Sequence, residues 1–123
     1  MPEPAAVSGY ILSFDFGFRR IGIAIGQTLT ATASALETVS HGQKPDWASI
    51  DRLVKEWKPA LLLVGLPLGA EGEETNMSKA ARDFGNALRN TEEELSLYYS
   101  DFELQTLLFL NFHYSTREQL ISN

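Results

Sequence analysis

The chain has 123 residues, of which 44% are hydrophobic and 21% charged, as in an ordinary globular protein. This length predicts one domain, at roughly 100–200 residues per domain. The absence of cysteine excludes disulfide scaffolds, thiolate zinc sites and cysteine nucleophiles. No apolar run approaches the roughly 18 residues of a membrane span. Residues 1–8, with two prolines and no apolar stretch, predict a flexible leader rather than a signal peptide. We therefore expect a cytoplasmic domain over residues 9–123 that has no contact with a membrane.

The charge balance opposes, but does not exclude, a nucleic-acid partner. Sixteen acidic residues against ten basic ones give a net charge of −6, which disfavours a polyanion at long range. Six of the acidic residues fall in two short runs of loop-like sequence, namely Glu71, Glu73 and Glu74, and Glu92, Glu93 and Glu94. If both runs lie on solvated edges, the rest of the chain is neutral and a local basic face is possible.

The first half of the chain predicts three strands and a helix. Two β-rich runs, 10–16 and 21–25, flank a Gly-Phe-Arg-Arg turn, which is typical of a β-hairpin in which Gly17 supplies a positive φ. Residues 32–39 are expected to add a third strand. Pro45 and Asp46 then open a helix, since the apolar residues that follow have helical spacing: Trp47, Ile50, Leu53, Val54 and Trp57.

The second half predicts two further strands separated by a helix. Pro59 ends the first helix, and the apolar run 60–66 is typical of a strand that is buried on both faces. A glycine- and glutamate-rich loop leads to a second amphipathic helix with apolar positions at Met77, Ala81, Phe84 and Leu88. A strand over 95–100 follows. The order of elements predicts an α/β fold whose mixed sheet has an antiparallel edge and parallel strands and is flanked by helices.

The pattern is less decisive after residue 100. Residues 107–114 are apolar and suit either a strand or a buried helix, because periodicity does not distinguish the two in so short a run. Residues 115–118 fit a capping box, which predicts a short final helix.

Asp15 is the first candidate for chemistry. It lies between Phe14 and Phe16 in a predicted central strand, where an ionised carboxylate is costly unless it is paired, hydrogen-bonded or bound to metal. One interpretation is a half-exposed aspartate that accepts hydrogen bonds from the turn amides. The other is a metal ligand, since Mg²⁺ prefers carboxylate oxygens and keeps waters for chemistry on phosphates.

Arg19 and Arg20 lie in the turn that follows Asp15. Either one could pair with Asp15 and lower its pKa. They could equally bind a phosphate, which the guanidinium fork fits well, although surface arginines are more often simply solvated.

Two motifs resemble one protein family. Residues 15–24 read DFGFRRIGIA and are similar to the Asp-x-Gly-x-Lys/Arg-Arg-Ile/Val-Gly-Val-Ala opening of the YqgF/RuvX family. Residues 64–68 read VGLPL and resemble its second signature, with Glu71 and Gly72 where the family usually has Asp-Gly. The resemblance extends over residues 9–90. The family is similar to ribonuclease H and to the Holliday-junction resolvase RuvC.

The resemblance implies a ribonuclease H-like fold and a nuclease that depends on Mg²⁺ or Mn²⁺. In such folds, carboxylates on neighbouring strands and on a late helix hold two ions that activate water and stabilise the leaving oxygen. Asp15 matches the first-strand ligand, and Arg19 and Arg20 become candidates for nucleic-acid binding. The implied substrate is the 5′ end of pre-16S rRNA, with branched DNA as the alternative.

The later carboxylates of the family are matched less well. Residues 95–106 read LSLYYSDFELQT, which places Asp101 at the aspartate of the third family motif and therefore as the second metal ligand. Its structural alternative is a helix N-cap. Glu103 is a possible substitute ligand, and Glu71 could approach the site from its loop. The aspartate of the late helix has no counterpart, and Glu118 is the last carboxylate of the chain.

Other functions remain open at this point. A nucleotide-binding module is possible because Asp-x-Gly hairpins also occur in the actin and sugar-kinase folds, although 123 residues are too few for their paired lobes. A catalytically impaired, nucleic-acid-binding remnant is possible because the late aspartate is missing.

Overall fold

The computed structural model describes residues 9–27, 32–100 and the strand residues 120–122. In chain order the elements are β1 (Tyr10–Phe16), β2 (Arg20–Gln27), β3 (Thr32–Ser40), α1 (Trp47–Trp57), β4 (Leu61–Gly65), α2 (Asn76–Thr91), β5 (Ser96–Ser100) and β6 (Leu120–Ser122). The leader expected at 1–8 and the element expected at 107–114 lie outside the described residues.

The six strands form one mixed sheet in the order β3-β2-β1-β4-β5-β6. β1, β2 and β3 are antiparallel neighbours, whereas β4 runs parallel to β1 and β5 runs parallel to β4. The short β6 pairs with β5 in the antiparallel direction. This arrangement confirms the predicted α/β class with an antiparallel hairpin beside parallel strands.

The main core lies on the face of the sheet that carries Leu12, Phe14 and Phe16. These side chains belong to one buried cluster together with apolar residues of both α1 and α2. Both described helices therefore pack on this face. The five residues of β4 are all buried, as predicted for a strand covered on both faces. Leu61 and Leu63 are buried but lie outside that cluster, on the opposite face of the sheet.

The ends of α1 follow the local sequence. The Asp46 carboxylate accepts a hydrogen bond from the Ser49 backbone amide at 3.2 Å and so caps the helix, as Pro45 and Asp46 predict. Lys58 ends the helix with a left-handed backbone, at φ 47°, directly before Pro59. None of the helices among the described residues is long and apolar enough to cross a membrane.

α2 extends beyond its predicted apolar positions at both ends. It begins one residue before Met77 and ends three residues after Leu88. Thr75 and Ser78 form a reciprocal capping box at its start. The buried Ser78 hydroxyl also donates a hydrogen bond to the Pro67 carbonyl, which fixes the start of the helix against the loop that follows β4.

Two expectations need correction. The helix predicted from residue 115 does not include Leu120–Ser122, because these residues pair with β5 as a strand. The positive φ predicted for Gly17 is also wrong, since positive φ among the described glycines occurs at Gly9 and Gly72. Gly17 is needed for a different reason: a Cβ there would lie 2.7 Å from the Arg20 carbonyl oxygen.

Candidate functional site

Asp15 is the second-last residue of the central strand β1. It pairs with Gly22 across the hairpin, and its neighbour Phe14 pairs with Val64 of β4. Because side chains alternate along a strand, Asp15 points away from the core face that holds Phe14 and Phe16. Its side chain is half-buried between two buried phenylalanines. β1 therefore holds a half-buried carboxylate at the carboxyl end of a central strand.

A pocket of about 180 Å³ adjoins this carboxylate. Its lining combines the end of β1, the end of β4 and the start of α2: Asp15, Phe16, Gly65, Pro67 and Met77. The pocket opens where the parallel strands β1 and β4 end, which is where open α/β sheets bind ligands. Gly65 and Pro67, at the end of β4 and just after it, thus form one wall of the pocket.

The hairpin turn beside the pocket is held by backbone hydrogen bonds at both sides. The Gly17 amide donates to the Arg20 carbonyl at 2.9 Å, and the His41 amide donates to the Arg19 carbonyl at 2.8 Å. The Gly17 amide, one of the turn amides that could have donated to Asp15, is therefore already used within the turn. Both arginine side chains are exposed, and neither forms an ion pair within the described part of the chain. Two guanidinium groups are therefore presented on an anchored turn next to the carboxylate.

The acidic loop before α2 is largely occupied by local contacts. The Glu71 backbone amide donates to the Glu73 carboxylate at 3.0 Å. Glu74 forms an ion pair with Arg82 at 2.7 Å, and hydrogen bonding from Arg82 lowers the pKa of Glu74. All three glutamates are exposed, as expected of a solvated edge. Glu71 is not part of the lining of the Asp15 pocket.

The remaining carboxylate candidates lie outside the described residues: Asp101, Glu103 and Glu118. Within residues 9–27 and 32–100, no three histidine, aspartate or glutamate side chains group closely enough to hold a metal ion. Asp15 thus lines the pocket, whereas Arg19 and Arg20 follow it in the hairpin and Glu71 lies in the loop before α2, and none of these three residues is part of the pocket lining.

Sequence reasoning missed two residues near this site, Phe18 and His41. Phe18 lies in the turn, and the signal that could have singled it out is a large aromatic residue between a glycine and two arginines. His41 carries no comparable signal in the sequence, because its contact with the turn depends on how β3 pairs with β2.

A family model described as "RuvX: Holliday junction resolvase" matches residues 9–111. The chain belongs to the RuvX family. This membership confirms the resemblance that residues 15–24 and 64–68 indicated. The mixed sheet confirms the predicted α/β class, and the ribonuclease H-like fold stays what the resemblance implies.

Curated relatives of this RuvX chain carry the name "Putative pre-16S rRNA nuclease". They include proteins from Hydrogenovibrio crunogenus, 43% identical over 102 residues, Chromohalobacter salexigens, 49% identical over 79, and Klebsiella pneumoniae, 46% identical over 83. These alignments cover 82%, 63% and 67% of the RuvX chain, and 75%, 53% and 60% of the respective relatives. The chain thus spans between about half and three quarters of the length of these relatives.

Among solved structures, the RuvX chain is similar to RuvC of T. thermophilus in complex with a Holliday junction substrate. The sequence identity is 15% and the TM-score is 0.47, over 74% of this chain and 63% of that chain.

Proposed function

We propose that this RuvX chain forms the catalytic domain of a metal-dependent nuclease that hydrolyses phosphodiester bonds. The observation that carries the proposal is the half-buried Asp15 carboxylate at the end of the central strand, facing a pocket beside two exposed arginines. A carboxylate in a pocket at the ends of parallel strands is a candidate functional group, because open α/β sheets bind ligands at that end. Curated relatives named as pre-16S rRNA nucleases support the same chemistry.

The Asp15 carboxylate, the acidic side chain among the described residues that line the pocket, is a suitable ligand for a hard divalent cation. Mg²⁺ is commonly held by one or two carboxylates, with waters and substrate phosphates completing its coordination. Asp15 would be one ligand, and Asp101 is our proposed second ligand. Asp101 directly follows Ser100, which pairs with the pocket residue Gly65. A bound Mg²⁺ or Mn²⁺ would supply water activation and stabilisation of the leaving oxygen.

Arg19 and Arg20 are proposed to bind the phosphates on either side of the scissile bond. A guanidinium group binds phosphate through two parallel hydrogen bonds and carries its positive charge at any physiological pH. The backbone carbonyls of Arg20 and Arg19 accept hydrogen bonds from the amides of Gly17 and His41, which anchors the backbone of the turn that carries both side chains. They also counter locally a net charge of −6 that repels nucleic acid at long range.

The proposed substrate is the 5′ end of pre-16S rRNA, which would place the activity in the cytoplasm. The names of the curated relatives support this choice. The description of the matching family model instead favours a branched DNA substrate. Both carry the same phosphodiester group, so a comparison of cleavage rates is needed to choose between them.

The first test replaces Asp15 with asparagine, which keeps the size of the side chain and removes its charge. Asp15→Asn is expected to unfold at the same temperature as the unmodified chain and to lose Mg²⁺- or Mn²⁺-dependent cleavage of an end-labelled precursor rRNA. The matched control is Glu56→Gln, which removes an exposed carboxylate from α1 and should leave cleavage unchanged.

Cleavage by Asp15→Asn at the rate of the unmodified chain would refute the proposal. The same preparations should be assayed with a four-way DNA junction of equal concentration. Faster cleavage of the junction than of the precursor rRNA would make branched DNA the substrate.

A further inference from the structure

We propose that an aromatic pocket beside the Asp15 pocket holds one unpaired nucleobase of the substrate, stacked on the ring of Phe18. This inference rests on the proposed nuclease function and extends it to the structure of the substrate strand. The aromatic pocket has a volume of about 300 Å³ and is lined by Phe16, Phe18, His41, Asp83 and Phe84, among others.

The position of the aromatic pocket is the first argument. Phe16 lines both this pocket and the one that contains Asp15, so the two cavities share a wall. A nucleotide whose phosphate lies at Asp15 would therefore have a neighbouring base within reach of the aromatic pocket.

The exposure of Phe18 is the second argument. Phe18 is 55% exposed and is the one exposed large hydrophobic side chain in the part of the chain that the structure describes. Its ring lies edge-on to Phe16, with the ring centres 6.0 Å apart. The turn that carries it is fixed by the backbone hydrogen bonds of Gly17 and His41. An aromatic ring held in place yet left open to water is suited to stacking, which needs a free face and little ordering on binding.

Polar groups in the pocket suit the edge of a base. The Nδ1 atom of His41 is buried and has no hydrogen-bond partner in the structure, and the His41 ring packs on Phe16 with centres 5.0 Å apart. Asp83 is exposed on α2 at the same pocket. A purine or pyrimidine edge offers both donors and acceptors to such groups, whereas an aliphatic ligand would leave them unpaired.

The basic turn that carries Phe18 favours a nucleic-acid strand as the occupant of the pocket. Arg19 and Arg20 follow Phe18 directly in the same turn, so a phosphate-binding pair lies beside the stacking ring. Alternating aromatic and basic contacts are the usual means by which proteins bind single strands. The base must be unpaired, because the faces and edges of a base within a duplex are covered by its neighbours. The chain should therefore prefer a single-stranded extension to a blunt duplex.

The experiment measures binding without cleavage. A fluorescein-labelled single-stranded RNA and a blunt duplex of the same sequence are titrated with the protein in EDTA, and affinity is read from fluorescence anisotropy. Phe18→Ala is expected to weaken binding of the single strand by about tenfold, the effect of losing one stacked base, with little change for the duplex. Phe18→Trp should retain the affinity, because an indole ring also stacks.

Two controls separate this inference from the nuclease proposal. Glu56→Gln should bind both RNAs as the unmodified chain does, and a thermal melt should show that Phe18→Ala remains folded. If Phe18→Ala binds the single strand as tightly as the unmodified chain, or if the unmodified chain binds no single strand, the aromatic pocket is not a base site. Because the assay is free of metal, it does not depend on whether Asp15→Asn cleaves.

Discussion

Asp15 lies near the end of a central strand, between two buried phenylalanines. An aspartate between two phenylalanines in a predicted central strand indicates a carboxylate that is either half-exposed at the strand end or bound to a metal, because a charge buried without compensation would destabilise the fold. The structure agrees: Phe14 and Phe16 are buried on the core face and Asp15 is half-buried on the other. This placement was predictable because successive side chains of a strand point to opposite faces of the sheet.

Gly17 was predictable as a turn glycine, but the reason for it was not. The sequence suggests a positive φ, whereas the structure shows a backbone approach that leaves no room for a side chain. Such an approach depends on the position of the Arg20 carbonyl, which only the folded hairpin defines.

This difference gives a prediction for Gly17→Ala. The added methyl group would lie 2.7 Å from the Arg20 carbonyl oxygen, so the turn must shift. We expect a loss of about 1–3 kcal/mol in the free energy of unfolding, as for other overpacked sites. Binding of single-stranded RNA should weaken as well, because the turn carries Phe18 and both arginines. Urea unfolding and fluorescence anisotropy measure the two effects.

Gly42→Ala is the matched control for this variant. A Cβ at Gly42 meets no other atom within 4 Å, so stability and RNA binding should both stay close to those of the unmodified chain. Equal behaviour of the two variants would show that the close approach at Gly17 has no energetic consequence.

At the scale of elements, the helices and strands of the first hundred residues follow local signals. β1 has the predicted bounds, and α1 begins after Asp46 and ends before Pro59, because capping residues act over three or four positions. The pairing of β6 with β5 joins residues at least twenty positions apart, and no local pattern encodes it. For the same reason, periodicity did not show that α1 and α2 pack on one face of the sheet.

The contact between α2 and β5 depends on Gly85. A Cβ at this position would lie 2.3 Å from the Tyr99 hydroxyl oxygen and 2.7 Å from a ring carbon. Tyr99 is fully buried, and its hydroxyl donates a hydrogen bond to the Arg82 carbonyl at 3.1 Å. The ring therefore has little freedom to move away from the helix.

Gly85→Ala is expected to destabilise the protein even though alanine favours helices by about 1 kcal/mol over glycine. The clash with Tyr99 should outweigh this gain and give a net loss of about 1–3 kcal/mol in urea unfolding. In a Tyr99→Leu background the ring is absent, so the same substitution should become neutral or stabilising. A loss of equal size in both backgrounds would contradict the contact.

At the scale of the whole molecule, the candidate site and an acidic pair lie at opposite ends of the sheet. The Asp15 pocket lies where β1 and β4 end, whereas Glu92 lies after α2, before β5 begins. Burial raises the pKa of Glu92, and a hydrogen bond with Asp51 raises it further. Asp51 itself forms an ion pair with Lys55 at 2.9 Å, and its pKa is lowered chiefly by Lys55.

The raised pKa of Glu92 predicts how the free energy of unfolding depends on pH. The folded-state pKa of Glu92 lies above its ordinary value of 4.5. The contribution of Glu92 to the free energy of unfolding is therefore fully present below pH 4.5 and is lost as the pH rises through the folded-state pKa. Glu92→Gln cannot ionise, so its stability relative to the unmodified chain should increase with pH above 4.5. Urea unfolding across this range tests the sign.

Glu93→Gln is the control for the acidic end, because it makes the same substitution at the neighbouring, exposed glutamate. A relative stability of Glu92→Gln that falls with rising pH would contradict the assignment. Cleavage by Glu92→Gln should match that of the unmodified chain, because the pair is remote from the Asp15 pocket.

The proposed nuclease activity depends on Asp15 holding a divalent ion. The most direct measurement is a titration of the unmodified chain, Asp15→Asn and Glu56→Gln with Mn²⁺, with bound metal read by electron paramagnetic resonance. We expect the unmodified chain and Glu56→Gln to bind Mn²⁺ with equal affinity and Asp15→Asn to bind it much more weakly. Equal binding by all three proteins would contradict the central claim.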